Sequence, residues 1–351
     1  MHEMWSCSDV SFCRAGVSAE PQVCAHASAV DLRRLSADRG CKTGRVDGDA
    51  LRLADSARQS RYSEPGRHAE LFDDVQPTIE SVSAMARNVV VHYRASGLDL
   101  PQQLQRDVDL RWIEAILSTD QQRHHAPLDH ERPVEARVQG CCRDHSLLAV
   151  AALRHHNVRA RTRVGFASYL VESWHSDHVI VEVWVEGRWR RFDPEFAEPL
   201  PALADPTDIP TSPDGPFLTA AQVWCSHRAG ALDVTRYGAV EYAALQGERF
   251  VHAKVICELA HRFGDELLLW DRWGSMNPHQ FDAPPHDIDL IDEIATLLIR
   301  ADEGDTSAEH DLLARYRQDA RLHPGSFVYS ISPTGERHYV DLTTRSTSRL
   351  G

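Results

Sequence analysis

The chain has 351 residues, enough for one hydrophobic core or for a core with an appended lobe. Apolar residues make up 42% and charged residues 26% of the sequence, which excludes a chain that is disordered throughout. A formal net charge of -14 argues against nucleic acid or an anionic membrane as a partner. No stretch approaches the roughly 20 apolar residues that a membrane-spanning helix needs.

Residues 1–60 are rich in Ser, Ala, Arg, Asp and Gly and have no sustained hydrophobic period, which predicts a disordered extension. The start of the chain has neither the basic segment nor the apolar segment of a secretion signal. Half of the eight cysteines fall in this region without CxxC spacing, so a disulfide framework is not expected. We therefore predict a cytoplasmic protein with reduced thiols.

Residues 61–200 are predicted to form the catalytic core. Apolar residues at helical spacing predict helices over 79–93 and 104–117, followed by a loop over 118–138. A third helix is predicted from Cys142 to about residue 156. Alternating patterns predict strands over 160–170, 178–185 and 188–192, and the last two are joined by a two-residue turn.

Residues 201–351 are predicted to form a mainly helical extension that packs on the core. It begins with a proline-rich linker over 200–215 and continues with predicted helices over 251–270 and 288–299. A further helix is predicted from Thr306, because Thr306-x-x-Glu309 matches a capping box. The segment 326–342 is predicted to form a small hairpin.

A thiol, an imidazole and a carboxylate occur in the order Cys142, His178, Asp193, the three parts of an activated cysteine nucleophile. The start of a helix has a positive dipole end that favours the thiolate, and its free N–H can face a developing oxyanion. Gln139 is a candidate second oxyanion donor by proximity alone. Cys141 is the rival nucleophile, but it precedes the predicted helix.

The predicted hairpin provides a test of this grouping. A two-residue turn pairs Val185 with Arg188. The same register brings Ile180 opposite Asp193. Because side chains alternate along a strand, His178 then lies diagonally from Asp193 on one face of the sheet, within hydrogen-bonding reach. A register shift of one residue would separate the two side chains.

The segments GCCRDHSLLAVAALRHHNVRARTRVGF and DHVIVEVWVEGRWRRFDPEF, within 136–196, resemble the transglutaminase-like superfamily, as found in bacterial proteins that carry this domain. The matching positions are Gly140, Cys142, Ala160, Arg161, Gly165, His178, Glu182, Trp189, Asp193 and Pro194. The resemblance implies an α+β, papain-like fold, with the nucleophile helix packed on an antiparallel sheet. It assigns catalysis to Cys142, His178 and Asp193. Two residues depart from the usual pattern: His145, where an aromatic residue is common, and Cys141.

These observations predict a cysteine-dependent hydrolase or acyltransferase, of protease, amidase or transglutaminase type, that acts on an amide or ester carbonyl. The expected substrate is a protein, a peptide or a small amide, and no cofactor, metal, nucleic acid or membrane is expected. One alternative is a zinc module, structural or metallohydrolytic, with Cys142, His145, His175 and His178 as ligands. Another alternative is a binding module that keeps the transglutaminase fold without activity.

Overall fold

The structure is a computed structural model that describes residues 56–239, 245–276 and 285–350. The predicted disordered extension lies outside the described residues, apart from residues 56–60. No helix in the described part of the chain is both long and apolar enough to cross a membrane.

The described residues form a mixed α and β structure. The helices are α1 (Ile79–Val89), α2 (Ile113–Arg123), α3 (Cys142–His155), α4 (Ala220–Arg228), α5 (Gly247–Arg262), α6 (Ile288–Asp302) and α7 (Thr306–Gln318). The strands are β1 (Val90–His92), β2 (Val138–Gly140), β3 (Ala160–Val171), β4 (Trp174–Val185), β5 (Arg188–Phe192), β6 (Phe217–Thr219), β7 (Tyr237–Gly238), β8 (Asp271–Arg272), β9 (Phe327–Ile331), β10 (Arg337–Asp341) and β11 (Ser346–Arg349).

The main sheet has the order β5-β4-β3-β6 with antiparallel neighbours, and β7 pairs with β4 in parallel. The predicted pairing of Val185 with Arg188 is confirmed. The turn between them places Glu186 at φ 52° and Gly187 at φ 78°, the two positive values that a tight hairpin of this kind needs. The register that relates β4 to β5 is therefore the one expected from the sequence.

Helix α3 lies against β3 and β4 and is buried over most of its length. Its apolar residues Leu147, Leu148 and Val150 are fully buried in the main core, together with Val179 and Val181 of β4. Burial of side chains of this size stabilises a fold by roughly 1.5–3 kcal/mol each. The nucleophile candidate therefore begins a helix that is firmly held by the sheet.

Several predicted boundaries near the core are wrong. The helix predicted over 79–93 ends at Val89, because the chain continues as β1 and pairs in parallel with β2. The helix predicted over 104–117 is a 3-10 helix, Gln102–Asp109, followed by α2, which extends into the predicted loop. Strand β4 begins at Trp174, so His178 lies inside the strand rather than at its start.

The region after residue 200 contains helices α4 to α7 but also several strands. Strands β6 and β7 join the main sheet, and β8 to β11 form a second sheet in the order β11-β10-β9-β8. The predicted hairpin over 326–342 is confirmed as β9 and β10.

In this region the predicted start of a helix at Thr306 is confirmed, whereas one helix end and one helix cap differ from the prediction. Helix α5 ends at Arg262, ahead of Gly264, whose φ of 83° is of the left-handed kind that often terminates a helix. Helix α7 is capped by Asp305, whose carboxylate accepts hydrogen bonds from the N–H groups of Ser307 and Ala308. The predicted capping box from Thr306 is therefore wrong.

Candidate active site

Cys142 is the first residue of α3, and its side chain is buried. As a first-turn residue it has an N–H group without an intrahelical acceptor. The turn before it is tight: a side chain at Gly140 would approach the Asp144 carboxylate to 2.8 Å. The same carboxylate accepts a 2.9 Å hydrogen bond from the Cys141 N–H. Gly140 and Asp144 thus fix the direction from which the chain enters the helix.

The electrostatic setting of Cys142 differs from the sequence-based expectation. A hydrogen bond with the Cys141 side chain, followed by burial, raises the pKa of the Cys142 thiol well above its ordinary value. Glu195 and Asp177 act in the same direction through their negative charges. Cys141 and burial therefore act against the effect that was expected from the helix start. A base is needed to remove the thiol proton during a reaction.

His178 and Asp193 form the hydrogen bond that the hairpin register predicts. His178 Nε2 lies 2.7 Å from Asp193 Oδ2, and both side chains are buried. Burial by itself would lower the pKa of His178, but the charge and the hydrogen bond of Asp193 raise it. Burial would raise the pKa of Asp193, but His178 and Tyr169 lower it. This bond leaves Nδ1 as the ring nitrogen that can exchange a proton with a nucleophile.

The Asp193 carboxylate is also held by two groups that the sequence analysis missed. The Tyr169 hydroxyl donates a 2.7 Å hydrogen bond to Oδ2. The Glu195 N–H donates a 3.1 Å hydrogen bond to Oδ1. Tyr169 lies on β3, and no motif in the sequence indicates that it contacts Asp193. Asp193 is therefore fixed in one orientation toward His178.

A hydrogen bond connects helix α3 to strand β4 close to Cys142 and His178. Ser146 lies one helical turn after Cys142, so both side chains are on the same helix face. The Ser146 hydroxyl donates a 2.8 Å hydrogen bond to the carbonyl of Val179, the residue after His178. The bond ties the start of the helix to the strand that carries the histidine. The three residues predicted for the site are thus located at the start of α3, inside β4 and directly after β5.

Glu195 is a further charged group of the site that was not predicted. Its Oε2 atom is buried and has no hydrogen-bond partner. One carboxylate oxygen of Glu195 lies within 4.8 Å of ligand atoms of His178 and Asp193. Burial raises the pKa of Glu195, while His145 and His178 oppose that shift. Its position two residues after Asp193 is the only hint in the sequence.

The ligand set of the zinc alternative is wrong. Among the described residues, the side chains of Cys142, His145, His175 and His178 do not lie close enough together to bind one metal ion. The ring nitrogens of His145 instead lie 3.0 Å from the Cys141 carbonyl and 3.2 Å from the Val90 carbonyl. The His175 ring stacks on Tyr237 at 4.0 Å. His178, Asp193 and Glu195 are close enough to hold a cation, but two of them are already bonded to each other.

Gln139, the predicted second oxyanion donor, is engaged elsewhere. Its Nε2 donates a 2.8 Å hydrogen bond to the carbonyl of Pro101, and its own N–H donates to Asp107. The side chain is buried, at 2% exposure. The expectation for Gln139 is therefore wrong.

Comparison with known proteins finds a match to one family over part of the chain. Residues 102–194 match the model of the transglutaminase-like superfamily. Among solved structures, a match is found to a candidate cysteine protease from Cytophaga hutchinsonii, at 20% sequence identity and a TM-score of 0.29. The aligned region covers 46% of this chain and 47% of that chain, less than half the length of either. No curated protein matches the chain.

Proposed function

We propose that this chain, whose residues 102–194 match the transglutaminase-like superfamily, is a cysteine-dependent hydrolase or acyltransferase. The acyl donor is an amide or ester of a protein, a peptide or a small molecule. Cys142 is the nucleophile, His178 the base and then the acid, and Asp193 the residue that orients His178. The observation that carries the proposal is the buried 2.7 Å bond between His178 and Asp193, next to the start of α3.

The proposed reaction begins with proton transfer. His178 accepts the thiol proton of Cys142 at Nδ1, and Asp193 stabilises the resulting imidazolium at Nε2. The sulfur forms a bond to the carbonyl carbon, and His178 then donates the proton to the leaving group. A thioester on Cys142 remains. Water or an amine attacks the thioester in the second half of the reaction.

The raised pKa of His178 favours the proton transfer, whereas the raised pKa of the Cys142 thiol opposes it at rest. Burial and Cys141 hold the Cys142 thiol in its protonated form, and Asp193 makes His178 a stronger base than a free imidazole. Such a pair keeps the nucleophile neutral at rest and creates the thiolate only when the imidazole accepts the proton. Cys142 is favoured over Cys141 because it is the residue that begins the helix.

Thiol labelling tests this assignment. The full chain is treated with iodoacetamide between pH 5 and 9, and the rate at each cysteine is measured by peptide mass spectrometry. At pH 7 we expect Cys142 to react about ten times faster in the wild type than in His178→Ala, because a thiol without a base reacts mainly near its own pKa of ~8.5 or above.

The half-buried Cys225 provides the internal reference, since its rate should be the same in both proteins. Fragmentation of the labelled peptide distinguishes Cys142 from Cys141. Equal rates at Cys142 with and without His178, or preferential labelling of Cys141, would contradict the proposal.

A further inference from the structure

A carbonyl attacked by a thiol becomes an oxyanion, and enzymes of this chemistry stabilise it with more than one hydrogen-bond donor. The N–H of Cys142 can supply one donor. The side-chain amide of Gln139 is directed toward the carbonyl of Pro101, to which it donates a hydrogen bond, rather than toward Cys142. The second donor has to come from another group that lies beside Cys142 and has a free hydrogen.

Tyr93 lies in the right place along the backbone. Strand β1 pairs with β2 so that His92 is opposite Gly140, and the Tyr93 N–H donates a 2.8 Å hydrogen bond to the Gly140 carbonyl. Tyr93 is therefore next to Cys141, at the entry to α3. Its ring is stacked with that of His92 at 5.4 Å and meets Trp270 edge-on at 6.4 Å. These contacts hold the ring in a defined orientation.

The hydroxyl of Tyr93 is available as a donor. It makes no hydrogen bond to any residue in the part of the chain that the structure describes, and the side chain is only half-buried. Two tryptophan N–H groups are engaged elsewhere, including that of Trp270, whose ring contacts Tyr93. Trp270 Nε1 donates to Asp109 at 3.0 Å, and Trp174 Nε1 donates to the Gly238 carbonyl at 3.1 Å.

The electrostatic environment of Tyr93 keeps its hydroxyl protonated. Burial raises the pKa of Tyr93, against the opposing effect of Arg94. Cys141, Asp177 and Cys142 raise it further. A phenol with a raised pKa carries its proton throughout the pH range in which a histidine can act as the base.

We propose that the Tyr93 hydroxyl is the second oxyanion donor of the reaction proposed above, on which this inference rests. When the Cys142 sulfur bonds to the carbonyl carbon, the π electrons of the C=O bond move to its oxygen. The hydroxyl of Tyr93 and the N–H of Cys142 donate hydrogen bonds to that oxygen. As the leaving group departs with the proton from His178, the C=O bond is restored and both donors are released.

Two reagents that react with the same thiol distinguish a role of Tyr93 as an oxyanion donor from a purely structural role. p-Nitrophenyl acetate acylates a thiol through an oxyanion, whereas iodoacetamide alkylates it by displacement at a saturated carbon without one. We compare Tyr93→Phe with the wild type in the full chain. We expect acylation of Cys142 to slow about 100-fold, the usual cost of losing one oxyanion donor. Alkylation should stay within about twofold of the wild type, because Phe keeps the ring packing.

Tyr339→Phe is the matched control, since Tyr339 is exposed on the second sheet. It should change neither rate. If Tyr93→Phe leaves acylation within about twofold, or slows both reactions equally, the assignment of Tyr93 is overturned. If the wild type itself is not acylated at Cys142, the proposed function fails, and the role of Tyr93 fails with it.

Discussion

Two groups of charged residues lie on strands β4 and β5 and directly after β5, and the two glutamates Glu182 and Glu195 show how they differ. In the first group, Glu182 Oε2 bonds to Arg161 at 2.7 Å, and Oε1 bonds to Arg191 at 2.9 Å. Burial alone would raise the pKa of Glu182, but Arg161, Arg163 and Arg191 lower it to about 2. In the second group, Glu195 keeps a buried oxygen without a partner, and burial raises its pKa.

The difference separates residues that stabilise the sheet from residues that we propose to take part in chemistry. A buried carboxylate bonded to guanidinium groups on both oxygens belongs to the structure, because removing it leaves buried charges uncompensated. An unpartnered carboxylate beside a bonded His178–Asp193 pair costs stability, and such costs are concentrated at functional sites. We therefore expect changes in the first group to destabilise the fold, and changes in the second either to alter reactivity or to remove a cost of burial.

The largest effect is expected for Asp193→Asn. The amide cannot hold His178 in the same tautomer or stabilise its charged form, so acylation of Cys142 by p-nitrophenyl acetate should slow by about 10³- to 10⁴-fold. The rate of acylation measures the effect, and urea unfolding checks that the fold is retained. Asp208→Asn, in the exposed pair with Arg188, is the control and should not change the rate. An Asp193→Asn protein that reacts within about tenfold of the wild type contradicts the role of Asp193.

The next effect is expected for Glu182→Gln. Arg161, Arg163 and Arg191 would lose their shared negative charge, so the free energy of unfolding should fall by about 3–5 kcal/mol. Urea unfolding measures this change, with Glu186→Gln in the exposed turn as the control. If the free energy of unfolding falls by less than about 1 kcal/mol, the contribution of a surface ion pair, Glu182 does not stabilise the fold in this way.

Acid unfolding gives an independent measure of the same residue. The pKa of Glu182 is lowered in the folded state, so its contribution is fully present above the ordinary value of 4.5 and is lost as the pH falls toward about 2. The wild type should lose stability over this interval, and Glu182→Gln should lose less. Identical slopes for the two proteins would contradict the assignment.

A smaller effect of opposite sign is expected for Glu195→Gln. The pKa of Glu195 is raised in the folded state, so the cost of burying its charge is absent below about pH 4.5 and grows as the pH rises through the folded-state pKa. Replacement by Gln should therefore stabilise the protein by about 1 kcal/mol at pH 8 and leave it unchanged at pH 4. The melting temperature at the two values of pH measures this difference. Destabilisation at pH 8 would show that Glu195 has a structural partner.

The smallest effect is expected from metal removal. Because the four residues of the zinc alternative are not brought together, treatment with EDTA should leave the labelling rate of Cys142 unchanged. Elemental analysis of the purified protein should find less than about one zinc ion for every ten chains if no closed site exists. Stoichiometric zinc would reverse this conclusion.

The sequence predicted the centre of the structure better than its surroundings. The start of α3 at Cys142 and the register between Val185 and Arg188 follow from short-range patterns, namely an apolar helical face and a two-residue turn. The end of α1 could not be predicted in this way. The apolar residues Val89 to Val91 fit either structure, and the strand β1 forms only because β2, distant in sequence, pairs with it.

The environment of the site depends on contacts that no local pattern encodes. Tyr169 reaches Asp193 from a neighbouring strand, and Tyr93 reaches Gly140 through the pairing of β1 with β2. The raised pKa of Cys142 likewise follows from tertiary burial and from Cys141, whereas the helix position alone predicted the opposite shift. The sequence therefore predicted the groups that we propose to react, but it did not predict the residues that surround them.

Trapping of an acyl-enzyme tests the central claim most directly. The full chain is mixed with p-nitrophenyl acetate, quenched with acid within the first turnover, and digested for peptide mass spectrometry. We predict one acetyl group on Cys142 of the wild type, and none on Cys142 when the same experiment is performed with His178→Ala. Acetylation that is absent from the wild type, located on Cys141, or equal in the two proteins would contradict the assignment of Cys142 as a nucleophile activated by His178.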